Sequence, residues 1–296
     1  MKKIAFTLTL IISALFSISA QEYSNIEDAV KNKETATFLN LRGKGIDSLP
    51  ANIAELKNLE KLSLWKNGLK YLPNEIFELN KLTYLNAREN KFEAINPLIK
   101  NLVNLKSLEL QKNKISVFPA ELATLPQLEY LNIADNKINQ LTTNINLLQN
   151  LLAFECYKNE LSQLPENFYK LGKLKTLAIN DNKIQSLSES INGLKSLENL
   201  NMEKNELKTL PKSIGQLKNL KSLVLNQNQI SVLPESICEL NQLQLIILSG
   251  NNIKQLPKSI SKMKSLKTLL LLGNRISEEE KKRIKKALPL CDVRFE

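Results

Sequence analysis

Few residues in this 296-residue chain have side chains able to do chemistry, and the types that are missing narrow the choice first. There is no histidine, which excludes Ser-His-Asp and Cys-His catalysis, histidine zinc sites and a histidine pH switch. With eight glycines, Gly43-Lys44-Gly45 is the one tight pair, and it lacks the upstream Gly and downstream Ser/Thr of a phosphate-binding loop. The thiols of Cys156, Cys238 and Cys291 read as small hydrophobes rather than as a bridge or a nucleophile. Carboxylates and lysines remain, notably Glu109 with Glu155 and the row Lys91, Lys114, Lys137 and Lys183. What these groups can do depends on where the chain places them.

Placement is governed by a repeat. Residues 59–81 read LEKLSLWKNGLKYLPNEIFELNK, and later segments align beneath them at a spacing of 23 with no insertion or deletion. The ninth place is Asn67, Asn90, Asn113, Asn136, Asn159, Asn182, Asn205, Asn228, Asn251 and Asn274. The first place is leucine from Leu59 to Leu266, and a degenerate copy begins at Ala36 with Lys44 where Asn is expected. Places 4 and 6 lie two apart, as on a short strand, and point inward. An inward Asn at the turn satisfies backbone groups that would otherwise be buried unpaired. Place 11 and the LPxxIxxL half line the convex wall, and the coils lacking that proline, at Asn96, Thr142 and Ser188, are expected to be looser there.

The pattern LxxLxLxxNxLxxLPxxIxxLxx resembles the leucine-rich repeat family over residues 36–276. The resemblance implies an α/β fold, a right-handed horseshoe solenoid of about eleven 23-residue repeats with parallel strands inside the curve. Its constant LPxxIxxLxN repeat and the opening coil Leu39-Asn40-Leu41-Arg42-Gly43 are similar to those of exported leucine-rich repeat proteins of pathogenic spirochaetes and other bacteria. A non-enzymatic, protein-binding module, engaging a host cell-surface or matrix protein, is what that likeness implies. Effectors that add a ubiquitin-ligase domain share the repeat, but only about twenty residues follow the last coil here.

A stack of coils exposes its core at both ends. Residues 21–35 are expected to form an N-terminal helical cap, with Ile26, Ala29 and Val30 inward. Residues 277–296 are the C-terminal cap: Ser277 to Glu280 read as a capping box, bases follow, Pro289 stops the helix, and Cys291, Val293 and Phe295 alternate like an edge strand. Residues 1–20 read as a signal peptide, with Lys2 and Lys3 before an uncharged run that ends at Ser19-Ala20. Their removal lowers the formal net charge from +11 to +9 and leaves no membrane span. The expected destination is exported: secreted, cell-surface or periplasmic.

Places 3, 5, 7, 8 and 10 look out from the concave face, so function is expected there. The N-terminal half gathers Phe38, Arg42, Lys61, Trp65, Tyr84, Arg88, Tyr130 and Tyr157, types that dominate interface hot spots. The alternative is that rings of neighbouring coils stack on one another. At the far end Val224, Leu245, Ile247, Leu270 and Leu272 form an apolar patch, expected to self-associate, to meet a partner or to be covered by the C-terminal segment. An inner ladder of about 48 Å, from about 4.8 Å per strand, accommodates a standard interface.

The lysine row is too sparse for nucleic acid, and an acidic polymer such as a sulfated glycan is the alternative ligand. A periplasmic scaffold binding a bacterial partner is the alternative role. Glu109 and Glu155, two coils or about 10 Å apart, sit at the upper edge of an inverting glycosidase pair, and read better as polar rim. No cofactor or metal is called for.

Overall fold

The computed structural model describes residues 21–296, so the expected signal peptide lies outside the described residues. Among the described residues, thirteen strands form one parallel sheet in strict sequence order. β1 (Glu22–Tyr23) and β2 (Phe38–Asn40) open it; β3 (Lys61–Ser63) and its successors recur at the 23-residue spacing to β12 (Thr268–Leu270), and β13 (Asp292–Arg294) closes it. The sheet stays open, and each strand returns to the next through the outer wall of its coil.

Side-chain alternation follows directly. Leu62 and Leu64 are fully buried, as are the equivalent leucines and isoleucines of most coils, each contributing on the order of 2 kcal/mol. The turn after each strand uses a left-handed residue at place 8: Lys66, Glu89, Lys112, Asp135, Lys158, Asp181, Lys204 and Gln227 have φ of 52–58°. Gly43, Gly250 and Gly273 take the same conformation without a side-chain penalty.

The asparagine that follows wires adjacent coils together. Asn159 Nδ2 donates to the carbonyls of Cys156 in its own coil (3.2 Å) and Ile133 in the preceding one (3.0 Å), while its Oδ1 accepts from Ile138 N–H at 2.9 Å. All ten ladder asparagines, Asn67 to Asn274, repeat this three-way pattern.

The convex wall carries one five-residue 3-10 turn per coil, such as Asn74–Glu78 preceded by Pro73. The coils without that proline are not looser. Asn96, Thr142 and Ser188 each cap the turn through the side chain, accepting from the N–H of Leu98, Asn144 and Ser190, and each turn keeps five residues. A capping oxygen there does what proline does elsewhere by fixing φ.

Both ends are covered. Helix α1 (Ile26–Lys31) starts at the Asn25 cap and buries Ala29, with Ile26 and Val30 packed on the core. The strand β1 ahead of it is absent from the sequence reading. Helix α2 (Glu278–Ala287) buries Ile284 and starts at Ser277, whose hydroxyl accepts from Glu280 N–H. The expected capping box is only half made. Glu280 does not turn back to Ser277; its carboxylate accepts from Leu256 N–H at 2.8 Å and from Arg283, tying the cap to the preceding coil. Of the five basic residues of α2, Lys281 pairs with Glu278 and Glu296, and Arg283 with Glu280.

Candidate functional site

The concave face presents places 3, 5 and 7 of successive strands, which the parallel register sets side by side: Lys61 next to Tyr84, Ser107 next to Tyr130, Asn132 next to Glu155. Three arrangements follow from who neighbours whom.

The first is a sandwich at place 7. The guanidinium carbons of Arg42 and Arg88 lie 3.4 and 3.7 Å from the centroid of the Trp65 ring. Arg88 reaches on to Glu109 at 3.4 Å, whereas Arg42 forms no ion pair among the described residues. Neither sequence alternative anticipated this arrangement. Phe38, Trp65, Tyr84, Tyr130 and Tyr157 are all half-buried rather than open to solvent, and the sole tryptophan stacks between cations, not on rings.

The second is a pair of like networks two coils apart. Tyr84 donates its hydroxyl to Glu109 Oε1 at 2.7 Å and accepts from Asn86 Nδ2 at 3.0 Å. Tyr130 accepts from Asn132 Nδ2 at 3.1 Å, and Asn132 also donates to Glu155 Oε2 at 2.7 Å. Burial and the neighbouring carboxylates push both tyrosines far above their ordinary pKa. Glu109 is 5% exposed, so it is not polar rim: Tyr84, Arg88 and Gln111 occupy both of its oxygens. Arg88 Nε and Gln111 Oε1 remain buried without a hydrogen-bond partner.

Glu155 differs. The place-7 positions that supply Arg88 and Gln111 around Glu109 hold Ala134 and Tyr157 around Glu155. Glu155 has no cation partner among the described residues, and burial, with the Glu109 charge adding and the Tyr130 hydroxyl opposing, raises its pKa to about 7. It borders an open depression of about 380 Å³ lined by Tyr157, Thr176, Ala178, Asn180, Asn199 and Asn201. The signal for both networks was in the sequence: Tyr84, Asn86 and Glu109 recur as Tyr130, Asn132 and Glu155 at twice the repeat spacing.

The third is the C-terminal row. Val224 is 4% exposed, so it does not belong to an open patch: a short branched side chain is covered by its ladder neighbours Asn201 and Ile247. Leu245, Ile247, Leu270 and Leu272 are half-buried. The C-terminal segment does not fold over them; it adds β13 beside β12, setting Arg294 next to Leu270. The large exposed hydrophobics lie elsewhere, at Tyr71, Val103, Val117, Leu147, Val232 and Leu290.

The lysine row is punctuated by acids, with Lys183 paired to Glu160 at 3.1 Å. Cys156 and Cys238 are buried, Cys291 is half-buried, and all three are free thiols. Among the described residues no three acidic or cysteine side chains gather as a metal site, and no helix is long and apolar enough to cross a membrane.

A family model described as a leucine-rich repeat region matches residues 30–126, 116–206 and 199–289. No curated protein matches the chain at a significant level. Among solved structures, an internalin from Listeria monocytogenes is 22% identical with a TM-score of 0.73, over 89% of this chain and 82% of that one. The Toll–Spatzle complex of Drosophila is 22% identical with a TM-score of 0.79, over 93% of this chain and 40% of that one. The ectodomain of the Arabidopsis thaliana receptor kinase GASSHO1/SCHENGEN3, solved with CASPARIAN STRIP INTEGRITY FACTOR 2, is 26% identical with a TM-score of 0.70, over 86% and 35%.

Proposed function

Because the chain belongs to the leucine-rich repeat family, we propose that it is a non-enzymatic module that binds a partner protein through its concave face. The observation that carries this reading is the Arg42–Trp65–Arg88 stack. Two guanidinium groups held against one indole lose little freedom on binding, and Arg42, with no ion pair among the described residues, keeps its N–H fork for a carboxylate or carbonyl of the partner. Phe38, Lys61 and Tyr84 lie on the strands of the stack, and Tyr130 and Tyr157 on the coils beyond it, all as half-buried surfaces. The Arabidopsis ectodomain, solved in complex with CASPARIAN STRIP INTEGRITY FACTOR 2, supports a binding role for this architecture.

Export completes the proposal: the run from Lys2 to Ala20 directs the chain out of the cytoplasm, as in the exported spirochaete proteins it resembles, and a host cell-surface or matrix protein is the partner. The test is affinity capture from host and bacterial lysates with wild type beside a Trp65→Ala/Tyr157→Ala variant. A partner held by wild type and lost by the variant supports the reading; one held equally by both moves the site off this half. Protease treatment of intact cells distinguishes surface display from a periplasmic location, where the chain is protected.

A further inference from the structure

The structure assigns to the depression beside Glu155 the role of a receptor for a cationic side chain, lysine or arginine, carried by the partner. This rests on the concave-face reading and names what one part of that face recognises.

The argument starts from the two like networks. In the first, Glu109 is buried together with its counter-ion, Arg88, at 3.4 Å. In the second, Ala134 stands at the place of Arg88, and Glu155 has no cation beside it among the described residues. A carboxylate removed from water without a counter-ion is costly, and a cation arriving from outside recovers that cost. The chain leaves room for one. Place 5 narrows to Ala178 immediately after Glu155, with Thr176 on the same strand, and these short side chains open the depression.

Its walls suit a cation with several N–H groups. Asn180 donates Nδ2 to Asp181 at 2.8 Å, and among the described residues its Oδ1 accepts no hydrogen bond and the Asn199 side chain makes none. Glu203, at place 7 of the next strand, carries no ion pair among the described residues. Nearby lysines are directed to the turn, where Lys204 meets Asp181 at 3.5 Å and Lys158 is exposed. The wall is therefore rich in acceptors around a carboxylate without a counter-ion, and the Tyr157 ring offers an apolar side to an aliphatic or guanidinium stem.

The test is a titration of the 15N-labelled protein with N-acetyl-arginine methylamide, N-acetyl-lysine methylamide and, as neutral isostere of the first, N-acetyl-citrulline methylamide. The cationic amides are expected to give saturable shifts of the Ala178 amide and of the Asn180, Asn199 and Asn201 side-chain amides. Citrulline should bind about tenfold more weakly or not at all, because it lacks the charge that strengthens the hydrogen bonds. Glu155→Gln and, independently, Ala178→Leu should abolish the response while leaving the rest of the spectrum in place. No shift at these residues with either cation, an equal response to citrulline, or a response that survives Glu155→Gln overturns the assignment. Failure here with a partner still lost in the Trp65→Ala/Tyr157→Ala variant leaves the protein-binding reading standing. A cation response with no concave-face partner does the reverse.

Discussion

Replacing Glu155 by Gln should make the protein more stable at alkaline pH and leave its stability unchanged at acid pH. The carboxyl is raised from the ordinary value of 4.5 to about 7, first by burial and then by the Glu109 charge. Between those two values the folded protein keeps a proton that the unfolded chain has released, so stability falls as pH rises through the window and the full penalty is present above about 7. Complete burial would set that penalty near 3 kcal/mol; access of solvent from the depression lowers it to about 1–2 kcal/mol. Glutamine removes the charge and keeps an oxygen for Asn132 Nδ2, which donates to Glu155 at 2.7 Å. Urea midpoints followed by circular dichroism at pH 4, 6 and 8 check this. The variant should gain about 1–2 kcal/mol at pH 8, less at pH 6, and nothing at pH 4. A gain independent of pH, or a wild type that is the more stable at pH 8, would refute the reasoning that Glu155 is an uncompensated charge.

Three further outcomes concern the scaffold. Asn159→Leu should cost about 3–5 kcal/mol in the same urea experiment, because Ile138 N–H and the carbonyls of Ile133 and Cys156 lose their partner together. Gly215→Ala would set a Cβ 2.2 Å from the Ser236 carbonyl oxygen of the adjacent coil, and the resulting displacement should cost about 2–3 kcal/mol by thermal unfolding. Thr142→Pro should be neutral or stabilising by up to about 1 kcal/mol, since φ is already −63° and proline replaces one turn-fixing device by another; a loss would show that the hydroxyl cap does more than hold the turn.

The repeat was legible because each coil's needs are local. Leucine at places 4 and 6 and asparagine at place 9 answer to the coil itself and its immediate neighbour, so a constant spacing fixes sheet order and register together. Strand β1 escaped detection because two residues carry no periodicity, and the fate of Glu280 because its partner, Leu256, lies a coil away. The site was legible only as a list of outward residues. Whether Trp65 meets rings or guanidinium groups, and whether Glu109 is rim or core, depends on side chains one coil away, distant in sequence and adjacent in space. Reading place 5 and place 7 together at double spacing would have revealed that Glu155 lacks the arginine Glu109 has.

The left-handed turn position also sets a longer period than the single coil. Its residues alternate in charge, Lys66, Glu89, Lys112, Asp135, Lys158, Asp181, Lys204, and adjacent members pair where Lys112 meets Glu89 at 2.9 Å and Lys204 meets Asp181 at 3.5 Å. The capping residues Asn96, Thr142 and Ser188 and the two tyrosine networks keep the same every-other-coil rhythm. The chemical repeat of this stretch is thus a doublet of coils. Excising one coil would bring like charges together at the seam, whereas excising two would leave a junction chemically the same as the one removed, so the arc lengthens or shortens most readily by even steps.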